Sequence, residues 1–125
     1  MLNIRSLSNK FYSQKNKKKW MRQRVTRGFA DIDIFDLDYH LLTLLPAMID
    51  HLAKTTHGWP QSDEFPEFKD WQNYLFAIAK KFRDAEKLYD EGETVAEMQA
   101  NYEKACQLVK EALYDMGEHF FALWD

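Results

Sequence analysis

The clearest helical signal of the chain lies in residues 66–89, which read PEFKDWQNYLFAIAKKFRDAEKLY. Pro66 suits the first turn of a helix, where a missing N–H costs nothing, and Gly92 stands where such a helix would end. Between them, large apolar residues recur at alternating spacings of three and four, the period of one helix face. This pattern predicts a long amphipathic helix with one apolar seam: Phe68, Trp71, Leu75, Ile78, Phe82, Ala85 and Tyr89.

A second long helix is predicted directly after Gly92. Thr94 and Glu97 have the spacing of a capping box, in which each side chain satisfies the backbone N–H of the other residue. Apolar residues with the same helical spacing follow as far as Leu123. Because the connection between the two helices is short, we expect them to form an antiparallel hairpin.

A further helix is predicted before this hairpin, from about Asp31 or Asp36 to about Thr56. The acidic residues suit a helix start, Pro46 should kink the helix, and Gly58 should stop it. No stretch shows the alternation typical of a strand. The expected fold is therefore all-α: a three-helix up-down-up bundle, made of a long helical hairpin and a Pro-kinked first helix.

The charges of the chain are strongly segregated. The net charge is only −3, but residues 1–27 hold nine basic residues and no acidic one. The rest of the chain holds eight basic and 20 acidic residues, which leaves it at −12. With 125 residues, the chain is long enough for one domain. We expect a basic N-terminal arm in residues 1–19 and a helical bundle domain in residues 20–125.

The composition excludes several classes of protein. Apolar residues make up 46% and aromatic residues 15%, enough for a real core. No apolar run approaches the roughly 20 residues of a membrane span. Cys106 is the only cysteine, which excludes an intrachain disulfide and favours a reduced, cytoplasmic setting. Neither a membrane, a cofactor nor a small-molecule substrate is indicated.

The basic arm carries the strongest functional signal. Cations neutralise phosphates and aromatic rings stack on bases, so that a nucleic acid or another polyanion is one candidate partner. An acidic protein surface, including the body of this chain or a second copy, is another, and a solvated tail is a third. The candidate binding residues are Arg5, Lys10, Lys15, Lys17, Lys18, Lys19, Trp20 and Arg22.

Asp38 is unusual because it falls on the apolar face of the predicted first helix. A charge in that position is costly unless it has a partner. Three interpretations stay open. The helix begins late and Asp38 lies in a solvated first turn beside Asp36, or Asp38 is a buried polar anchor, with Arg24, Arg27, a Tyr hydroxyl or a Trp indole as the candidate partner. A catalytic role for Asp38 is the third.

Catalytic residues are not indicated by any known arrangement. The chain lacks a Gly-rich phosphate loop and a zinc-protease motif. Asp33, Asp36 and His40 share a helix side and contain groups that bind divalent metals. One helix offers too few ligands, however, so a metal-dependent hydrolase is only a remote alternative and an enzymatic role is not expected.

A second weak metal signal comes from paired carboxylates. The all-α nucleotide pyrophosphohydrolases hold Mg²⁺ with E-x-x-E and E-x-x-D steps on neighbouring helices. The nearest approximations here are Glu64-x-x-Glu67 and Asp115-x-x-Glu118. The second has the wrong order, and the two lie at the ends of different predicted helices, so this chain departs from that pattern.

Residues 20–85 resemble a family of small phage and prophage proteins. The shared pattern is R-G-aromatic-S/A-D-x-D-aromatic-x-L-D-Y, then a proline, then H-G-Y/W-P. This chain follows it in residues 27–39, with one additional residue, Ile34, before the aromatic position, then at Pro46 and in residues 57–60. Phe35 stands where members often have Trp. The resemblance implies a phage context without a particular activity, and it favours a structural partner for Asp38. We therefore expect a non-enzymatic binding module, with a host-factor inhibitor or a phage assembly component as the alternative.

Overall fold

The structure, a computed structural model, describes residues 13–124. These residues form only helices and connections, so the predicted all-α class is confirmed. None of the helices in this range is both long and apolar enough to cross a membrane. The elements, in chain order, are α1 Gln14–Arg27, α2 Asp31–Phe35, α3 Leu37–Thr55, α4 Phe68–Tyr89, α5 Val95–Glu118 and a 3-10 turn at Phe120–Ala122.

The chain divides into two compact units, one up to Leu41 and one from Leu42 onward. The described part of the first unit contains α1, α2 and the first turn of α3. The second unit contains the rest of α3 together with α4 and α5. Helix α1 continues without interruption through residues 19 and 20, where the sequence places the boundary between arm and bundle.

Helix α1 has a defined start and a defined end. The Ser13 side chain accepts a hydrogen bond from the backbone N–H of Asn16 (3.4 Å), as an N-cap residue does. At the other end Gly28 has a φ of +87°, and its N–H donates to the carbonyl of Arg24 (3.0 Å). A residue with a Cβ would lose about 1–2 kcal/mol in that left-handed conformation. Gly28 therefore stops α1 and leads the chain into α2.

The predicted first helix is interrupted near its start. The sequence indicates one helix from about Asp31 or Asp36 to about Thr56, whereas the structure has α2 and α3 with a break at Asp36 (φ −133°, ψ 62°). The Asp36 carbonyl accepts from the His40 N–H (2.9 Å) and so opens α3. Pro46 lies inside α3, as predicted, and is buried.

Helices α4 and α5 pack against each other as the predicted antiparallel hairpin. Near the start of α4, the Tyr74 hydroxyl donates to the backbone carbonyl of Asp115 (2.7 Å). Further along α4, Lys81 forms an ion pair with the Asp115 carboxylate (2.7 Å). At the end of α4, the ring of Tyr89 lies 6.0 Å from that of Tyr102, between centroids. The contacts thus move backward along α5 as they move forward along α4.

The turn between α4 and α5 is built as the sequence indicates. The Thr94 hydroxyl accepts from the Glu97 N–H (3.1 Å), and the Glu97 carboxylate accepts from the N–H groups of Glu93 (2.9 Å) and Thr94 (3.4 Å). Gly92 has a φ of +132°, and a Cβ there would lie 2.8 Å from the Met98 nitrogen. Both the backbone angle and the available space therefore require glycine.

The core of the second unit is centred on the predicted seam of α4. Burying each large side chain contributes about 1.5–3 kcal/mol, so that this cluster dominates the stability of the unit. Helix α3 is held against α4 by a hydrogen bond from the Gln72 amide to the Ala53 carbonyl (2.9 Å) and by the Arg83–Asp50 ion pair (3.2 Å). The buried cluster contains Ile49, Ala53, Phe65, Trp71, Leu75, Ile78, Ala79, Phe82 and Ala112.

Candidate functional site

Helix α1 contains seven basic residues and no acidic one, and the structure divides them between two faces. Its inner face carries Trp20, which is 9% exposed and is the buried residue of the helix. The same face carries Arg24 and Arg27, which contact the acidic start of α2. Among the basic residues without such a contact, Lys15, Lys18 and Arg22 lie on the opposite, outer face and Lys17 lies at the border between the two faces.

A two-point contact joins the Arg24 side chain in α1 to the Asp33 side chain in α2. The Arg24 guanidinium donates from Nε to Oδ2 (3.1 Å) and from Nη2 to Oδ1 (2.7 Å) of the carboxylate. Asp33 Oδ2 also accepts from the N–H of Ala30 (2.7 Å), which is fully buried. Asp33 is only 6% exposed, and the hydrogen bonds from Arg24 lower its pKa to about 2. A buried carboxylate is tolerated here because all its contacts are donors.

A second, exposed contact surrounds Asp31 at the start of α2. Arg27 Nη2 forms an ion pair with Asp31 Oδ1, and Gln23 Nε2 donates to Asp31 Oδ2 (2.8 Å). Lys19 lies 3.7 Å from the same carboxylate. The hydrogen bonds from Arg27 and then Gln23 lower the pKa of Asp31. Anions at the start of α2 meet cations at the end of α1, which suits both helix dipoles.

The connection between α1 and α2 is formed by residues 27–31. Arg27 Nε donates to the carbonyl of Phe29 (2.9 Å) and its guanidinium lies 4.4 Å from the centre of the Phe29 ring. Gly28 supplies the left-handed turn, Ala30 is fully buried, and Asp31 is the partner of Arg27. These residues therefore build the turn between α1 and α2.

Four basic residues of α1 remain outside these contacts. No carboxylate of residues 13–124 lies within ion-pair distance of their side chains, and all four are exposed. Two apolar residues, Met21 (65% exposed) and Val25 (82% exposed), lie on the same side of the helix. The four basic residues, called the outer cations from here on, are Lys15, Lys17, Lys18 and Arg22.

The structure thus separates the predicted binding residues. Lys15, Lys18 and Arg22 share an exposed helix side, and Lys17 is exposed at the edge of it, about 160° around the helix from Lys15. Lys19 is partly engaged with Asp31. Trp20 is buried, so its ring is not available to stack on a base. Trp20 and Arg22 are two residues apart, which is about 200° around the helix, so they lie on opposite faces of α1. Arg5 and Lys10 lie outside the described residues.

Asp38 lies in the first turn of α3 and is exposed. Its carboxylate accepts from the N–H of Tyr39 (2.8 Å), and it raises the pKa of Asp36 through a side-chain hydrogen bond. This placement corresponds to the interpretation in which Asp38 lies in a solvated first turn beside Asp36. The buried polar anchor of the structure is Asp33 rather than Asp38, because the break at Asp36 shifts the phase between α2 and α3.

The candidate metal ligands are not gathered into a site. The Asp33 carboxylate accepts hydrogen bonds from the Arg24 guanidinium and from the Ala30 N–H. Its Oδ1 lies 3.9 Å from His40 Nδ1. Within residues 13–124, no group of three or more His, Cys, Asp or Glu side chains is close enough to share a metal ion.

The paired carboxylates near the ends of the hairpin have other contacts. Glu64 lies 3.0 Å from His119 Nε2, and Asp115 pairs with Lys81. The ring of His119 is itself packed at 4.9 Å from that of Phe65 and at 5.3 Å from that of Tyr74. These carboxylates therefore contribute to packing at one end of the hairpin.

The feature that sequence reasoning missed is the two-sided character of α1. Ser13 is a usable start signal, and projecting residues 14–27 as a helix places Lys15, Lys18 and Arg22 on the side opposite Trp20 and Arg24. Comparison with protein-family models, with curated proteins and with solved structures finds no match. The resemblance to small phage proteins accordingly stays a prediction.

Proposed function

We propose that this protein is a nucleic-acid-binding module in which the outer cations of α1 contact phosphates. The observation that carries the proposal is the division of the α1 cations into Arg24 and Arg27, which pair with carboxylates of α2, and the four outer cations, which have no such pair among residues 13–124. The inner cations balance Asp31 and Asp33, whereas the outer cations are left without a carboxylate partner in residues 13–124. Four exposed positive charges on one short helix form the electrostatic footprint of a phosphate-binding surface.

The inner contacts also support the proposal by fixing the helix. Arg24 donates two hydrogen bonds to the Asp33 carboxylate. The Gln23 amide donates to the Asp31 carboxylate and accepts from the Asp31 N–H. A helix held in this way presents its cations at fixed spacings, and less conformational entropy is lost on binding. Release of the counterions around the nucleic acid then drives association.

The test is a titration of a fluorescently labelled 20-base-pair DNA duplex with the protein at several salt concentrations. Each phosphate contact contributes about −0.9 to the slope of log K against log salt. Four contacts therefore contribute about −3.6, which is about a 100-fold loss of affinity between 50 and 200 mM salt. Replacing the outer cations by glutamine should reduce the steepness of the slope by this amount.

A matched control is available in the second unit. Replacing four exposed lysines of that unit by glutamine changes the net charge equally while leaving α1 intact. We expect this control to bind as the unmodified chain does. If both variants lose affinity equally, or if neither does, the outer cations are not the binding surface and the proposal fails. The control positions are Lys69, Lys87, Lys104 and Lys110.

A second candidate function is a protein-interaction module, such as a host-factor inhibitor or a phage assembly component. It is favoured by the exposed aromatic side chains at the end of the chain, Phe120, Phe121 and Trp124. Groups of exposed aromatic residues are enriched at protein interfaces. A pull-down that recovers one protein after nuclease treatment, and loses it when Phe121 and Trp124 are replaced by serine, would favour this candidate.

For the fold, we propose that α3, α4 and α5 form an up-down-up bundle in the second unit. The Gln72–Ala53 and Arg83–Asp50 contacts support opposite directions for α3 and α4. A phage origin is likewise a proposal, and it rests on the resemblance in sequence.

A further inference from the structure

We infer that the nucleic acid is double-stranded DNA and that α1 enters its major groove. The inference rests on the proposed function and names its partner. It starts from Met21 and Val25, which are apolar and exposed on the same side of α1 as Lys18 and Arg22. Phosphate binding requires only cations, so these apolar residues indicate a second kind of contact.

The spacing of these residues defines a compact reading surface. Lys18, Met21, Arg22 and Val25 occupy positions i, i+3, i+4 and i+7, which lie within about 100° of the helix circumference. From Lys18 to Val25 the helix rises about 10.5 Å, the length of about three base-pair steps. Lys15 lies at one edge of this surface and Lys17 at the other edge, and the two lysines are about 160° apart around the helix. The arrangement places mixed side chains at the centre and lysines at the edges.

The central residues match the chemistry of base edges. In the major groove, thymine presents a methyl group that takes apolar contacts, and guanine presents two acceptors that suit an arginine. Met21 and Val25 fit the first, and Arg22 fits the second. The flanking Lys15 and Lys17 would then reach the phosphates on either side of the groove.

The shape of the groove selects among nucleic acids. The major groove of B-form DNA is about 12 Å wide and admits an α-helix, whereas that of A-form RNA is too narrow. Single strands are usually held by aromatic platforms, but Trp20 of α1 is buried. Helix α2 is an unsuitable reading helix, because its acidic residues would repel phosphates.

The experiment compares three labelled ligands: a 20-base-pair DNA duplex, an RNA duplex of the same sequence, and the corresponding single-stranded DNA. We expect the DNA duplex to bind at least tenfold more tightly than the RNA duplex, which carries the same charge. Equal affinities for the two duplexes would overturn the inference while leaving phosphate binding by the outer cations intact. A failure of the proposed function has a different signature, since binding would then not depend on the outer cations.

A pair of variants tests the apolar contact itself. Met21→Ala with Val25→Ala removes two exposed side chains and retains residues that favour a helix. We expect about a fivefold to tenfold loss of affinity for the DNA duplex with an unchanged salt slope, because no charge is altered. The control, Val95→Ala with Met98→Ala, removes the same exposed side-chain types from α5. Unchanged DNA affinity in the first variant, or an equal loss in the control, would overturn the inference.

Discussion

Replacing Asp33 by asparagine is the sharpest test of how the first unit is held together. The substitution keeps the shape of the side chain but removes its charge. Asp33 accepts two hydrogen bonds from Arg24 and one from the N–H of Ala30, and it is almost completely buried. An asparagine can satisfy only part of these donors, since one of its terminal atoms is itself a donor. We therefore expect the contact between α1 and α2 to weaken.

The size of the effect follows from the pKa of Asp33. Hydrogen bonds from Arg24 lower that pKa from 3.8 to about 2. One pKa unit corresponds to about 1.4 kcal/mol, so the ionised form gains about 2.5 kcal/mol at most. The Arg24 side chain is 51% exposed, and water around it screens the interaction. We expect Asp33→Asn to cost the first unit about 1–2 kcal/mol at neutral pH.

Amide hydrogen exchange measured by NMR reports on this unit directly. The amide of Ala30 is buried against Asp33, and the amide of Gly28 is bonded to the Arg24 carbonyl. A loss of 1–2 kcal/mol should lower the protection of both amides by roughly fivefold to thirtyfold. Asp31→Asn is the matched control, because it removes an exposed carboxylate of the same helix and should have a smaller effect.

The dependence on pH provides a second measurement. Because the pKa of Asp33 is lowered by folding, its contribution is complete above about pH 5 and is lost as the pH falls from about 4 to 2. The protection of Ala30 should fall through this window in the unmodified protein but not in Asp33→Asn. If the carboxyl of Asp33 titrates near 3.8, or if the variant matches the unmodified protein at neutral pH, the reasoning is refuted.

Three further substitutions test separate features. Tyr74→Phe removes the hydroxyl that bonds the Asp115 carbonyl and should cost about 1 kcal/mol in chemical denaturation. Burial and nearby carboxylates raise the pKa of Tyr74 to about 12, so the stability of the unmodified protein should fall as the pH rises from 10 to 12. Ultraviolet titration of Tyr74→Phe should lack the late ionisation of this tyrosine. Gly28→Ala should cost about 1–2 kcal/mol through its positive φ alone, since open space surrounds the position, and unchanged exchange at the Gly28 amide position would contradict this. Thr94→Ala should lose about 1 kcal/mol of stability with the cap to Glu97, and a melting temperature equal to that of the unmodified protein would refute it.

The hairpin could be predicted from the sequence because its signals are local and apolar. The seam of α4 repeats with a helical period, and Trp71, Leu75, Ile78 and Phe82 are indeed its fully buried large side chains. The capping box at Thr94 is equally local. Such signals depend only on residues a few positions apart, so they are readable without knowledge of the partner surface.

The first unit could be predicted only in part, for a physical reason. Helix α1 is polar, and its buried side chain is Trp20, so apolar periodicity is almost absent. Its position is set by ion pairs such as that of Arg24 with Asp33, which join residues of separate helices. The sequence could suggest Arg24 and Arg27 as partners for an acidic helix start, but it could not choose among Asp31, Asp33 and Asp38. That choice depends on the break at Asp36, which neither a glycine nor a proline marks.

The two faces of α1 also differ in how freely they can change over evolutionary time. On the inner face, replacing Arg24 leaves the buried carboxylate of Asp33 without its charged partner, so that substitutions there are costly. On the outer face, Lys18, Met21 and Val25 are exposed, and substitutions there carry small stability costs. Mutation can therefore alter what the helix recognises one residue at a time, while the unit that carries the helix stays folded.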